Sequence, residues 1–110
     1  MTFRYNLLFC PECTPALRSQ CRFSRQLVMH IPCVPGMLVT IPVANDPQGS
    51  VTRFRVNRID WRVDALHSEG GWCIAEVSSP EYAAGTMTSV QHILDIAKVL
   101  ALLGFVHVPC

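Results

Sequence analysis

The chain has 110 residues, half of them apolar and 15% charged, and its nine basic and eight acidic side chains leave a net charge of +1. That length fits one domain, the apolar share excludes disorder over most of the chain, and the balanced charge lacks the basic excess of a dedicated nucleic-acid binder. No run reaches the roughly 18 uncharged apolar residues of a membrane span, and no secretory apolar core follows the opening MTFRYN, so the expectation is a soluble, cytoplasmic protein.

Taken in chain order, residues 1–26 read as an N-terminal arm or connector, its opening apolar run being either a strand or an arm. They hold one short apolar run, Tyr5 to Phe9, then a Cys/Pro turn, a short helix over Pro15 to Cys21, and a basic patch of Arg18, Arg22 and Arg25. Residues 27–110 read as a single α+β domain. Leu27 to Ile31 predicts a short strand, and Val34-Pro35-Gly36 a tight turn in which proline presets φ and glycine accepts a positive one. Met37, Val39, Ile41 and Val43 then alternate as one strand face. Pro42 has no N–H for a ladder, which places that strand at an edge. Asn45 to Gly49 has the composition of a hairpin loop.

The segment Arg53–Asp64 changes phase. Phe54 and Val56 stand on even positions, whereas Ile59, Trp61 and Val63 stand on odd ones. Side chains of a strand alternate between faces, so one extra residue near Asn57-Arg58, a β-bulge, is required to return all five to one face. A bulge also bends its strand, which predicts a coiled, barrel-like sheet. Gly70-Gly71 predicts the next hairpin, and Trp72 to Val77 a strand covered on both faces.

The last element predicted is a helix. Thr88 and Gln91 have capping-box spacing, and Gly104 stands where a left-handed residue ends a helix. Gln91, Asp95 and Lys98 form its only polar stripe, which leaves an apolar arc of roughly 220° at 100° per residue. Ile93, Ala97 and Leu100 are expected on the sheet. Ile96, Val99 and Leu103 are expected on a free flank that joins two copies in a homodimer. Phe105, Val106 and Val108 add a short final strand. The fold class is therefore α+β: a small, strongly bent antiparallel sheet of four or five strands with a C-terminal helix packed on it.

Six cysteines, Cys10, Cys13, Cys21, Cys33, Cys73 and Cys110, are many for this length. In a reducing compartment they read as free thiols, a metal site or a redox pair. Cys10-Pro11-Glu12-Cys13 offers two thiolates to one zinc ion, and Cys21 and Cys33 are the residues available to complete a four-ligand set, at spacings that match no common zinc module. The same motif, reached by the apolar run Tyr5–Phe9, resembles over about 20 residues the strand–CPxC–helix opening of glutaredoxins. That resemblance implies a dithiol whose first cysteine is ionised at a helix N-terminus. It does not continue, because residues 27 to 78 are almost uninterrupted β. The plain reading is that both cysteines are small apolar fillers around a proline turn.

Arg53, Arg55, Arg58 and Arg62, interleaved with Phe54 and Trp61, have the residue types that grip phosphates and stack bases on small β-barrels. Asp60 and Asp64 stand near enough to neutralise part of that charge, and the aromatics are needed for the core. The four histidines show no metal-binding spacing. Ser68, His67 and Asp64 share one hairpin loop without a nucleophile elbow. The function expected is therefore non-enzymatic binding or interaction by a homo-oligomer. A zinc-stabilised or nucleic-acid-binding β-barrel module and a CxxC oxidoreductase are the alternatives.

Overall fold

The structure, a computed structural model, describes residues 3–62, 72–79 and 86–108, and within these leaves out the side chains of Trp61, Arg62 and Trp72. The Gly70-Gly71 hairpin, the loop with Asp64, His67 and Ser68, and Cys110 lie outside the described residues, as does the expected core role of the Trp61 ring. The strands are β1 (Phe3–Phe9), β2 (Phe23–Met29), β3 (Leu38–Pro42), β4 (Val51–Arg62), β5 (Trp72–Ser78) and β6 (Val106–His107), with one helix, α1 (Val90–Ala101), and a 3₁₀ turn at Pro15–Gln20. The strands form one sheet in the order β3-β4-β5-β1-β2-β6, curled into a half-barrel.

The α+β architecture is as the sequence implies, with two differences. Six strands take part, and the β1–β5 pair is parallel while every other pair is antiparallel. Both differences involve β1. Residues 3–9, expected as a strand or arm outside the domain of residues 27–110, insert between β5 and β2, with ladders on both sides. Tyr5, Leu7 and Phe9 point into the core and are buried there. The segment has the alternation that a two-sided sheet position requires, but its short length and the Cys/Pro turn behind it conceal that on the page. β2 likewise begins at Phe23, four residues before the expected start. Phe23 is fully buried and stacks against His107 at 5.0 Å.

The phase change in β4 is resolved by a bulge at the expected place. Val56 pairs with Val77 and Arg58 with Glu76, so Asn57 is skipped and the register shifts. Phe54 and Val56 are fully buried ahead of the bulge, and Ile59, opposite Ala75, packs on the same core after it. The curl brings aromatic rings together from strands that are not neighbours. Phe9 on β1 meets Phe54 on β4 edge-to-face at 5.6 Å, and Phe105 lies 5.2 Å from Phe54 and 6.3 Å from Phe9. The turn at Val34–Met37 closes through Met37 N–H to Val34 O at 3.1 Å, with Gly36 at φ 90° as a type II turn demands.

α1 starts one residue later than the capping-box spacing predicts. Ser89 is its N-cap and accepts from the His92 N–H at 3.2 Å, while Gln91 donates to Asp95 along the helix at 2.9 Å. Its end is as expected. Gly104, at φ 80°, lets Phe105 N–H reach Leu100 O (3.1 Å) and Gly104 N–H reach Ala101 O (3.0 Å), the bond pair of a Schellman motif. A Cβ at position 104 would stand 3.1 Å from Arg25 Nε. Gly104→Ala is therefore expected to lower stability by about 1–2 kcal/mol through the left-handed backbone, with some displacement of Arg25. A urea titration that shifts by less than about 0.5 kcal/mol counts against this closure.

The helix is rotated relative to the sequence expectation. Ile93, Ile96, Leu100 and Leu103 face the sheet within an arc of about 80°. Ile96 (5% exposed) and Leu103 (3% exposed) are thus inside the chain's own core, and of the expected interface flank only Val99 remains on the surface. Val90, Leu94 and Leu102 are the other exposed apolar residues of this segment. Among the described residues no helix is long and apolar enough to cross a membrane.

Candidate functional site

The features that could carry chemistry or binding are the thiols, the arginine row and the sheet edges. The thiols form two groups at opposite ends of β1. At its C-terminal end the Cys10–Cys13 loop is pinned to the segment before α1, where Thr14 N–H donates to Met87 O (3.0 Å) and Met87 N–H to Glu12 O (2.9 Å). The Cys21 thiol lies beside the Cys13 thiol there, with Cys10 nearby. At the N-terminal end Cys33 N–H donates to the Tyr5 hydroxyl at 2.7 Å, the Cys33 thiol contacts Met29 Sδ at 3.7 Å, and Cys73 lies beside it. Cys33 is therefore on the order of 15 Å along β1 from Cys10, Cys13 and Cys21, and the four do not form one tetrahedral set. Among the described residues no three His, Cys, Asp or Glu side chains are arranged to hold a metal ion.

Every resolved thiol shift is upward, with burial as the leading cause. It holds for Cys10, where the Arg22 guanidinium opposes it, and for Cys33 and Cys73, and it pushes Cys21 from its usual 9.0 up to about 12. The ionised helix-terminal cysteine implied by the glutaredoxin-like opening does not arise. The element after the motif is a six-residue 3₁₀ turn whose N-cap Thr14 makes no side-chain cap bond. A thiol that stays protonated is a poor nucleophile, which weighs against the redox reading, while Cys10 is exposed and Cys13 half-buried, so neither fills the core.

Because the folded-state value of Cys21 is raised, its contribution to stability is complete below about pH 9 and is lost as pH rises from there toward 12. The melting temperature is expected to hold steady from neutral pH to about 9 and then fall. Cys21→Ala should fall less steeply above that point, as a pH series of thermal melts would show. Parallel curves for the two proteins contradict the assignment.

On the outer face of β4, Arg53, Arg55 and Arg58 are exposed, and the bulge keeps Arg58 on the same side as the other two. Arg58 pairs with Asp60 at 3.3 Å and lies opposite Glu76 in the ladder. Arg62 closes the ladder against Trp72, and its side chain is outside the described residues. The row is thus a mixed-sign surface. Phe54, which the sequence interleaves with it, points the opposite way, into the core.

The edges are the feature that sequence reasoning missed. β3 at one end of the sheet carries Pro42, which removes a donor from its free side. At the other end, β6 is only two residues long and covers β2 at Phe23 and Ser24 alone. Val108 N–H donates to Arg22 O at 2.8 Å, so the backbone of Arg22 faces β6. Alternation then aims the N–H and C=O of Gln26 and Val28 the same way, past the end of β6. Among the described residues no strand pairs with that side of Arg25–Met29.

This stretch holds no proline, lysine or bulge. Its one charge, Arg25, is folded inward and donates from Nη1 to Leu103 O at 3.0 Å. An open groove of about 420 Å³, lined by Ser24, Arg25, Gln26, Gly104, Val106 and Val108, adjoins the edge. Val28 (61% exposed) and Val106 (65% exposed) flank it. The signal for this edge was the shortness of the last apolar run, Phe105 to Val108, which cannot cover a seven-residue strand.

Compared with protein-family models, with curated proteins and with solved structures, the chain finds no match.

Proposed function

We propose that this chain is a non-enzymatic interaction protein that takes up an extended polypeptide segment along the open edge of β2. The observation that carries this reading is the contrast between the two ends of the sheet. An exposed strand edge is a template for pairing, and folded chains normally blunt it with proline, lysine or a bulge. β3 has such a device and Arg25–Met29 has none. Recognition of this kind draws affinity from main-chain bonds, here offered by Gln26 and Val28, and specificity from pockets beside alternate side chains, here the groove between Gln26 and Val106.

The test uses a blocked synthetic peptide with the alternating sequence of Phe23–His30 as an extended probe, added in excess to dilute chain. Amide hydrogen exchange at Gln26 and Val28 should slow by tenfold or more. The amides of Arg25, Leu27 and Met29, which face β1, should already be slow and should not change. Unaltered exchange at Gln26 and Val28 removes the reading.

A second reading rests on the arginine row. Arg53, Arg55 and Arg58, partly offset by Asp60 and Glu76, would neutralise few phosphates on single-stranded nucleic acid. Binding to a labelled oligonucleotide is therefore expected to be weak and indifferent to sequence, and to fall roughly tenfold for a fourfold rise in salt. Tight, sequence-dependent binding near physiological salt, read by fluorescence anisotropy, would move the function to this face.

A further inference from the structure

We infer that the segment taken up at the β2 edge is the β2 edge of a second copy of this chain, so that two half-barrels join into one continuous twelve-stranded sheet about a two-fold axis at Leu27. The inference rests on the strand-docking reading above and names its partner.

Three observations make the edge self-complementary. The first is the hydrogen-bond phase. Gln26 and Val28 both face the open side, so an antiparallel copy centred on Leu27 sets Gln26 opposite the partner copy's valine 28, and Val28 opposite its glutamine 26. Each of these is a hydrogen-bonded pair exchanging two bonds, and no outward-facing amide or carbonyl of the stretch is left over. The second is charge. In this register Arg25 falls opposite a methionine, and no like charges meet across the axis, whereas like charges directly opposite would oppose pairing. Leu27, only half-buried at the rim of the core, would gain cover from its own counterpart across the axis.

The third is shape. The chain bends at His30 and exposes Ile31 (55%), two residues beyond the end of β2. The same register brings the partner's chain, at the bend just past its own β2, up against the end of β6, where Val106 already pairs with Ser24. There the groove lined by Ser24, Gly104, Val106 and Val108 lies open. An exposed isoleucine and an apolar-rimmed groove at matching distances from one axis are what an isologous contact uses twice. The face expected from sequence, Ile96 with Leu103, cannot serve, because those side chains already lie in the core.

The experiment is sedimentation of the full chain at tens of micromolar, paired with amide exchange on a dilution series. The parent should sediment at twice its 12.3 kDa mass. Its Gln26 and Val28 amides should exchange slowly when concentrated and at least tenfold faster when dilute, with Arg25 and Leu27 unaffected. Gln26→Pro removes a donor that points away from β1, so it should give a folded monomer, and Val28→Pro should do the same. If either variant fails to fold, the dilution series on the parent alone decides. A parent that stays monomeric, or a dimer that survives Gln26→Pro, overturns the second-copy assignment. The peptide experiment then separates the two claims. Protection by the peptide in a monomeric chain leaves strand docking standing with another occupant, and its absence ends both.

Discussion

Phe54→Ala is expected to destabilise the protein by about 3–5 kcal/mol, the usual cost of emptying a buried phenylalanine site. Phe54 is fully buried and touches the rings of both Phe9 and Phe105. It therefore joins β4, β1 and the segment after α1, three pieces of chain far apart in sequence. The cavity is flanked by strands held in ladders on both sides, so it has little freedom to collapse, which places the cost toward the upper end. Arg55→Ala, one residue on and on the outer face, should change stability by less than about 0.5 kcal/mol. Urea titrations of the two variants and the parent provide the check. Equal midpoints for Phe54→Ala and the parent would mean that the three rings do not form the centre of the core.

How much of this was legible in the sequence depends on how local the determining signal is. The bulge was legible because five apolar residues in one strand broke parity, and parity is counted along a single segment. Gly104 was legible for the same reason, since a helix end is decided within one turn. The N-cap shifted by one residue because Thr88 and Ser89 are both good caps, and only the docking of Ile93 and Ile96 on the sheet selects between them. The burial of Ile96 and Leu103 was not legible. The apolar arc of α1 is wider than the sheet-facing stripe, so the pattern leaves the rotation of the helix undetermined, and only the packed core shows which side chains it takes in.

The candidate surface follows the same division. The types and spacing of Arg53, Arg55 and Arg58 put them on one face once the bulge is allowed for, and the structure places all three outward. The grouping of Cys13 with Cys21, and of Cys33 with Tyr5, Met29 and Cys73, needs β1 in the sheet interior, because that strand sets the two groups apart. The open stretch of β2 needs still more. It exists only because a two-residue strand pairs beside a seven-residue one, a mismatch between segments more than 70 positions apart that no window of sequence displays.

Removing residues 1–9 is expected to abolish cooperative folding. Were these residues an arm, the chain from residue 10 onward would keep its core and unfold with much the parent's transition. β1 instead lies between β5 and β2, and its loss separates the sheet into two parts with new edges on each. Tyr5, Leu7 and Phe9 leave the core with it. At about 1.5–3 kcal/mol for each fully buried large side chain, that removes roughly 5–9 kcal/mol. The Cys33 N–H would lose the Tyr5 hydroxyl it donates to, and Phe54 and Phe105 would lose the Phe9 ring. A domain of this size is stable by only about 5–15 kcal/mol, so the deficit reaches or exceeds the whole. Near-ultraviolet circular dichroism and a thermal melt of residues 10–110 should show no fixed aromatic environment and no sigmoidal transition. Tyr5→Ala, which keeps both ladders, should show a weakened but still cooperative one. A sharp melt of the truncated chain near the parent's temperature would return residues 3–9 to the status of an arm and with them the placement of β1 at the centre of the sheet.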